Sequence, residues 1–187
     1  MGDPKKQRKK YETPTHPWLR HRIDSEKILT KDYGLKNKKE IWRFESKLRR
    51  FRVQAKRLIA GKTEQTKKET IQVISKLVRY GLIKKDAKLE DILDLNIKDI
   101  LNRRLQTIVF TKGLARTIKQ ARQFILHGHI YLDNKKVTVP SYLVKVSEEE
   151  KIIHNPLSKI AKEDHPERII KKVKPKKIRV KVKPRRR

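Results

Sequence analysis

The stretch at residues 114–136, LARTIKQARQFILHGHIYLDNKK, constrains the fold of this chain more than any other. Leu114, Ile118, Ala121 and Ile125 recur at spacings of three and four, which places them on one side of a helix. Lys119, Gln120 and Gln123 fall opposite, with Arg122 at the border. Thr117 followed three residues later by Gln120 predicts a capping box that starts the helix. Gly128 predicts its end, because glycine accepts the left-handed conformation common after helix C-termini. The alternation in HIYLDNKKVTVP then predicts two strands joined by a turn at Asp133-Asn134. A helix that docks by one side and offers cations and amides on the other is suited to a negative partner.

The rest of the chain says how negative. Lys and Arg number 52 against 21 Asp and Glu, a formal net charge of +31. Self-repulsion on that scale disfavours the compact free chain and is relieved by a polyanion. Nucleic acid is the natural candidate. An anionic membrane surface is the rival, but only 35% of residues are hydrophobic and no apolar run approaches spanning length. The first residues, MGDPKKQRKKYETP, lack the apolar core of a secretion signal. With no cysteine, disulfides and thiolate zinc sites are excluded. The expectation is a cytoplasmic polyanion binder with no membrane partner and no small-molecule substrate.

Four regions follow from the pattern. Residues 1–32 mix Pro4, Pro14 and Pro17 with cations and little apolar period, and predict an extended basic arm anchored by Tyr11 and Trp18. Residues 33–98 predict a small helical domain. Its long helix starts at Asn37, ends at Gly61, and carries Ile41, Phe44, Leu48, Phe51, Ala55, Leu58 and Ile59 as an apolar stripe. Arg43, Arg50 and Arg57 recur every seven residues on another flank, with almost no acids placed to pair with them, and predict a phosphate-facing row. A second helix, Glu64 to Tyr80, presents Ile71, Ile74, Leu77 and Val78, and Gly81 stops it. A short helix at LEDILDL (89–95) and another from Ile97 to Phe110 follow.

Residues 99–160 predict a module of two helices packed on a small twisted sheet, with further strands at Tyr142–Val146 and Lys151–His154. Residues 161–187 form a basic tail. Its last seventeen residues hold eleven Lys or Arg and no acid, a composition expected to stay disordered when free. The fold class is therefore α+β, with basic extended termini.

Catalytic patterns are not evident. His127-Gly128-His129 could be taken for a metal pair, but the two stand at a helix end and a strand start with no third ligand in view, so no metal or cofactor is expected. Glu148-Glu149-Glu150 is a charge run in a predicted loop. No Gly-rich phosphate loop, nucleophile elbow or HExxH pattern occurs, and the chain is not expected to be an enzyme.

Arg104-Leu105, Gly113-Leu114-Ala115, Thr117, Ala121-Arg122-Gln123, Ile125, Gly128-His129-Ile130 and Pro140-Ser141-Tyr142 together resemble the S-four RNA-binding module. The flanks TPTHPWLRHRID, YGLKNKKEIWRF, LVRYGLI and LEDILDLNIKDILNRRLQT look like the universal small-subunit ribosomal protein S-four family in its archaeal and eukaryotic form. The resemblance runs from about Tyr11 to about His154. Many copies of the module turn their ribbon with Asn-Gly, where this chain has Asp133-Asn134-Lys135. Some bacterial members carry a cysteine zinc site, which this chain cannot.

The resemblance implies a structural protein that binds a multi-helix junction of small-subunit ribosomal RNA and nucleates assembly of the subunit body. It also implies a position beside other small-subunit proteins and near the path along which mRNA enters, with influence on translational accuracy. The alternative is an assembly factor that binds precursor ribosomal RNA transiently; an RNA-modifying enzyme carrying the module would need a catalytic domain for which little chain remains. Matched to the family pattern, the helix from Thr117 is the one expected to face RNA, with its N-terminal amides adding attraction for phosphate. The expected RNA-binding residues are Arg43, Arg50 and Arg57 on the long helix. On the module they are Arg103, Arg104, Arg116, Thr117, Lys119, Gln120, Arg122 and Gln123, with His127 and His129 at the edge. Tyr131 is read either as a stacking platform or as ordinary strand packing.

Overall fold

The computed structural model describes residues 2, 9–61, 63–162 and 165–167. Most of the basic tail expected over 161–187, and nearly all of residues 1–8, lie outside the described residues. Residues 9–19 carry no helix or strand, but the extended arm expected over 1–32 ends there. Helix α1 (Arg20–Asp32) occupies the remainder. It follows Leu19, which provides no side-chain cap, and has no acid in its first turn, so the usual start signals are missing. Glu26, 2% exposed, anchors it instead. The Glu26 carboxylate accepts from Arg22 Nη1 at 2.9 Å and Trp42 Nε1 at 3.0 Å, with Lys38 Nζ 3.2 Å away.

Helix α2 (Lys38–Ala60) begins where Asn37 caps the amide of Glu40 and ends at Gly61. It buries Ile41, Phe44, Leu48, Phe51, Ala55 and Leu58, while Ile59 stays 48% exposed. Helix α3 (Glu64–Arg79), capped by Thr63, buries Val73 and Leu77 and leaves Ile71 outside at 69% exposure. Two adjacent apolar rows run along α3, and periodicity alone does not say which row the neighbouring helix covers. Short helices α4 (Asp91–Asp94) and α5 (Ile97–Asn102) complete this part, burying Ile92, Ile100 and Leu101.

The helix expected from Ile97 to Phe110 breaks at Arg103-Arg104, after which α6 (Leu105–Thr111) resumes. The break has a partner. The Leu105 amide donates to the Tyr142 carbonyl at 2.8 Å, and the Val144 amide to the Arg103 carbonyl at 3.0 Å. Arg104 and Leu143 thereby form an isolated antiparallel bridge, so the strand expected at Tyr142–Val146 is spent on the helix break and does not join the sheet.

Helix α7 (Ile118–Leu126) is capped by Thr117, which accepts from the Gln120 amide at 3.1 Å. The Gln120 side chain reaches back to the Arg116 amide, one residue beyond the Thr117 amide of the expected box. Gly128, at φ +74°, ends the helix, and the Lys136 side chain crosses where a Cβ would stand. Strand β1 (Ile130–Leu132) pairs antiparallel with β2 (Lys135–Lys136) and with β3 (Ile152–His154), in the order β2-β1-β3. The turn residues Asp133 and Asn134 both have positive φ, 50° and 62°, as a tight two-residue hairpin requires. Residues 146–149 form a helical turn, α8 (Val146–Glu149), before β3.

The architecture is α+β with two apolar cores. One gathers around α2; the other joins α6 and α7 to the sheet through Leu105, Val109, Ala121, Phe124, Ile125 and Ile130. Leu143 belongs to the first core although Val144 belongs to the second, so that segment stitches the two. Gln106 adds a polar tie, donating to the Gly34 carbonyl at 3.1 Å and the Ile118 carbonyl at 3.0 Å.

Candidate nucleic-acid interface

A carboxylate sets the relative placement of α2 and α7. Glu40, in the first turn of α2, accepts from Arg104 Nη2 at 2.8 Å and from Arg122 Nη2 at 2.9 Å. Burial pushes its carboxyl up, but the hydrogen bonds from Arg122 and Arg104 and their charges outweigh this and hold it below the usual value. The Arg104 side chain is fully buried, and its guanidinium lies 5.2 Å from the centre of the Phe44 ring. Burial lowers its pKa and Glu40 opposes that shift. Arg104 is therefore enclosed by the fold and presents no surface to a partner in this structure, where the sequence led us to expect an exposed RNA contact. Arg122, 20% exposed at its side chain, has its guanidinium committed to Glu40 and keeps only an edge at the surface.

Arg103 is also engaged. It donates to Glu149 at 2.7 Å and to the Val144 carbonyl at 3.2 Å, so it ties α8 to the helix break. Arg116 is half-buried, with Nε and Nη2 lacking a partner among the described residues. Lys119, Gln123 and His127 are exposed, as is the capping Thr117. Gln120 is half-buried and donates to Glu167 at 2.6 Å. His129 shares a hydrogen bond with Ser158 Oγ at 2.8 Å, and burial, followed by the charges of His127 and Lys136, lowers its pKa. Starting from an ordinary value of 6.5, that shift leaves it neutral at pH 7. No group of three or more His, Asp or Glu suited to a metal ion occurs among the described residues. Tyr131 is half-buried on the outer side of β1, opposite Lys136 and Ile153 and away from the inward Ile130 and Leu132.

Arg43, Arg50 and Arg57 are all exposed. Arg43 stands 5.9 Å from the centre of the Tyr11 ring, so the arm's aromatic steadies it. Arg50 and Arg57 border a hollow with Glu12, Arg49 and Glu69, and Arg49 is ion-paired to Glu12. Of the expected residues, Arg43 and Arg122 share a cleft between α2 and α7, lined also by Glu40, Phe44, Lys47, Leu126, Pro140 and Ser141. Lys119 lies one turn before Arg122 on the same helical row. Lys47 was missed by sequence reasoning, although its position four residues after Arg43 was the available signal. Burial, and then the charge of Lys76, lower its pKa.

The cleft sets Arg43 and Lys47 on one wall and Arg122 on the other around Glu40, so its cations outnumber its acid, and relatives of known kind share the chain that builds it. A protein from Methanococcus aeolicus is 55% identical over 169 residues, covering 90% of this chain and 96% of its own length. One from Methanococcus maripaludis strain C5 is 53% identical over 169 residues, covering 90% and 95%. Both are called small ribosomal subunit protein uS4. The chain belongs to the uS4 family. The family model for the S4 domain matches residues 103–150, from the helix break through α8. In this uS4 chain the matched span includes α7 but stops short of β3, and Arg43 and Lys47 lie outside it on the helical part. The family's members are structural ribosomal proteins and not enzymes. No helix of the described residues is long and apolar enough to cross a membrane.

Proposed function

We propose that this chain is a structural constituent of the small ribosomal subunit that binds small-subunit ribosomal RNA and works in cytoplasmic ribosomes. The observation that carries the reading is 55% identity to a uS4 protein over 96% of that protein's length. The relatives named above are subunit constituents, which gives the assembly-factor alternative no support.

The finer reading is that the chain grips a multi-helix junction of the RNA in the cleft between α2 and α7. A-form RNA hides its bases in a deep major groove and crowds phosphates where helices branch. Cations spread over two rigid walls recognise such a branch by where its phosphates stand. Arginine forks can bridge two phosphate oxygens, whereas lysine supplies a mobile point charge. The helical domain (33–98) and the module (99–160) are the two jaws. Lys119, Gln123, His127, Thr117 and the exposed edge of Arg122 act on one side, and Arg43, Lys47, Arg50 and Arg57 on the other. Holding a junction in one shape would nucleate folding of the subunit body. Neighbouring small-subunit proteins, and mRNA near its path into the subunit, complete the partners, with an influence on translational accuracy.

Crosslinking the protein to RNA in cells, sequencing the RNA, and sedimenting the same extract tests this. Enrichment of one small-subunit junction in mature subunits and translating ribosomes is the expected result. Signal confined to precursor particles would replace the reading with the assembly factor.

A further inference from the structure

We propose that Trp18 is a stacking platform for an unpaired base of the bound RNA, an inference that rests on the RNA-binding reading above. The chain has two tryptophans, and they have opposite fates. Trp42 is half-buried and donates to Glu26. Trp18 is 89% exposed, and its neighbour Leu19 is 55% exposed. Nothing described in the chain covers this indole, the largest apolar side chain there is.

The segment that carries it is nonetheless held. Arg22 Nη2 donates to the carbonyls of Pro17 at 2.8 Å and His16 at 3.3 Å, while its Nη1 donates to Glu26 at 2.9 Å. Glu26 is itself buried and collects Trp42 and Lys38. The backbone just before Trp18 is therefore tied through one guanidinium to a buried carboxylate. An exposed ring on a fixed mount loses little freedom on binding.

Charge identifies the occupant. His16, Arg20 and His21, close to Trp18 in the chain, are exposed, and no acid stands between residues 13 and 23. Arg20 approaches Asp24 only at 3.8 Å, and its side chain stays 96% exposed. An apolar protein pocket that took the indole would have to desolvate the Arg20 guanidinium and the polar groups beside it without compensation. An RNA loop offers a base face for the ring and phosphates for its surroundings. Aromatic stacking on splayed-out bases is a general mode of RNA recognition and tolerates any base, because each has a π-face.

The test uses the full chain and the ribosomal RNA junction recovered by the crosslinking above, with no other protein present. Trp18→Leu and Trp18→Ala should weaken binding about 5-fold to 100-fold, whereas Trp18→Phe, which keeps a ring, should lose much less. Indole emission should fall on RNA addition in the wild type far more than in Trp18→Phe, which reports Trp42 alone. Circular dichroism of each variant should match the wild type, since the side chain packs against nothing. Wild-type affinity of Trp18→Leu, with equal quenching in both proteins, overturns the proposal. If that variant then entered subunits poorly, Trp18 would be a protein-docking residue, and the stacking role would be wrong. Failure of the wild type to bind the RNA would instead bring down the RNA-binding reading, and this inference with it.

Discussion

Replacing Glu40 with Gln removes a carboxylate that Arg104 and Arg122 share. The Arg104 side chain is fully buried and that of Glu40 is 13% exposed, so the remaining cation has little water to turn to. Taking one partner from a buried pair costs roughly 3–5 kcal/mol. Gln keeps an amide oxygen that can accept from one guanidinium, and Arg122 can swing outward, so we expect about 3 kcal/mol, the low end of that range. For a chain of this length each kcal/mol lowers the melting temperature by about 2–4 °C, giving a loss of about 6–12 °C. Urea unfolding followed by circular dichroism reads the free energy directly, and m should stay unchanged. The pH dependence supplies an internal check. Glu40 titrates below the ordinary glutamate value of 4.5 in the folded chain, so its stabilisation is complete above that value. It is lost as pH falls through the folded-state pKa, so the gap between wild type and Glu40→Gln should be flat near neutrality and close in acid. A loss under about 1 kcal/mol at pH 7 would refute the clamp, because Arg104 would then be served by other acceptors such as Gln106 Oε1, now 3.4 Å away.

If phosphate contacts dominate binding, the log–log dependence of affinity on salt, measured by filter binding, should have a slope magnitude of about 4 or more; a slope near one would contradict the cleft. Lys119→Ala should lower that slope by about 1 and leave urea unfolding unchanged, since the side chain is exposed. Arg122→Ala, in contrast, should weaken RNA binding and destabilise the fold together, and an unchanged melting curve would show that Glu40 does not need it. Ala121→Asp places a charge at a fully buried position and should cost more than about 3 kcal/mol, with circular dichroism showing loss of the module.

Where local chemistry decides structure, the sequence was readable. Asn37 and Gly61 bracket α2 because a cap and a stop act on their own neighbours. Thr117 and Gly128 bracket α7, and Asp133-Asn134 makes its turn, for the same reason. What escaped was decided at a distance. Arg104 looks like any exposed cation until Glu40, 64 residues earlier, is brought against it. The break between α5 and α6 exists because residues 142–144 bond to it, a pairing no local window contains. Helix α1 carries no cap and is held by a buried carboxylate that receives donors from α2. Of the candidate site, the sequence picked out Arg43 and Arg122, which line one cleft between α2 and α7. The full lining was not legible, because ion pairing engages Arg103 and burial encloses Arg104, and the spacing of four from Arg43 does not by itself say that Lys47 shares the cleft.

The most direct test of the central claim is ultraviolet crosslinking of purified small subunits, with mass spectrometry locating each nucleotide adduct on this chain. RNA gripped between α2 and α7 predicts adducts on Arg43, Lys47 and Lys119 and at the neighbouring Gln123. Adducts confined to α3 or to the outer side of the sheet, with the cleft unmarked, would contradict it.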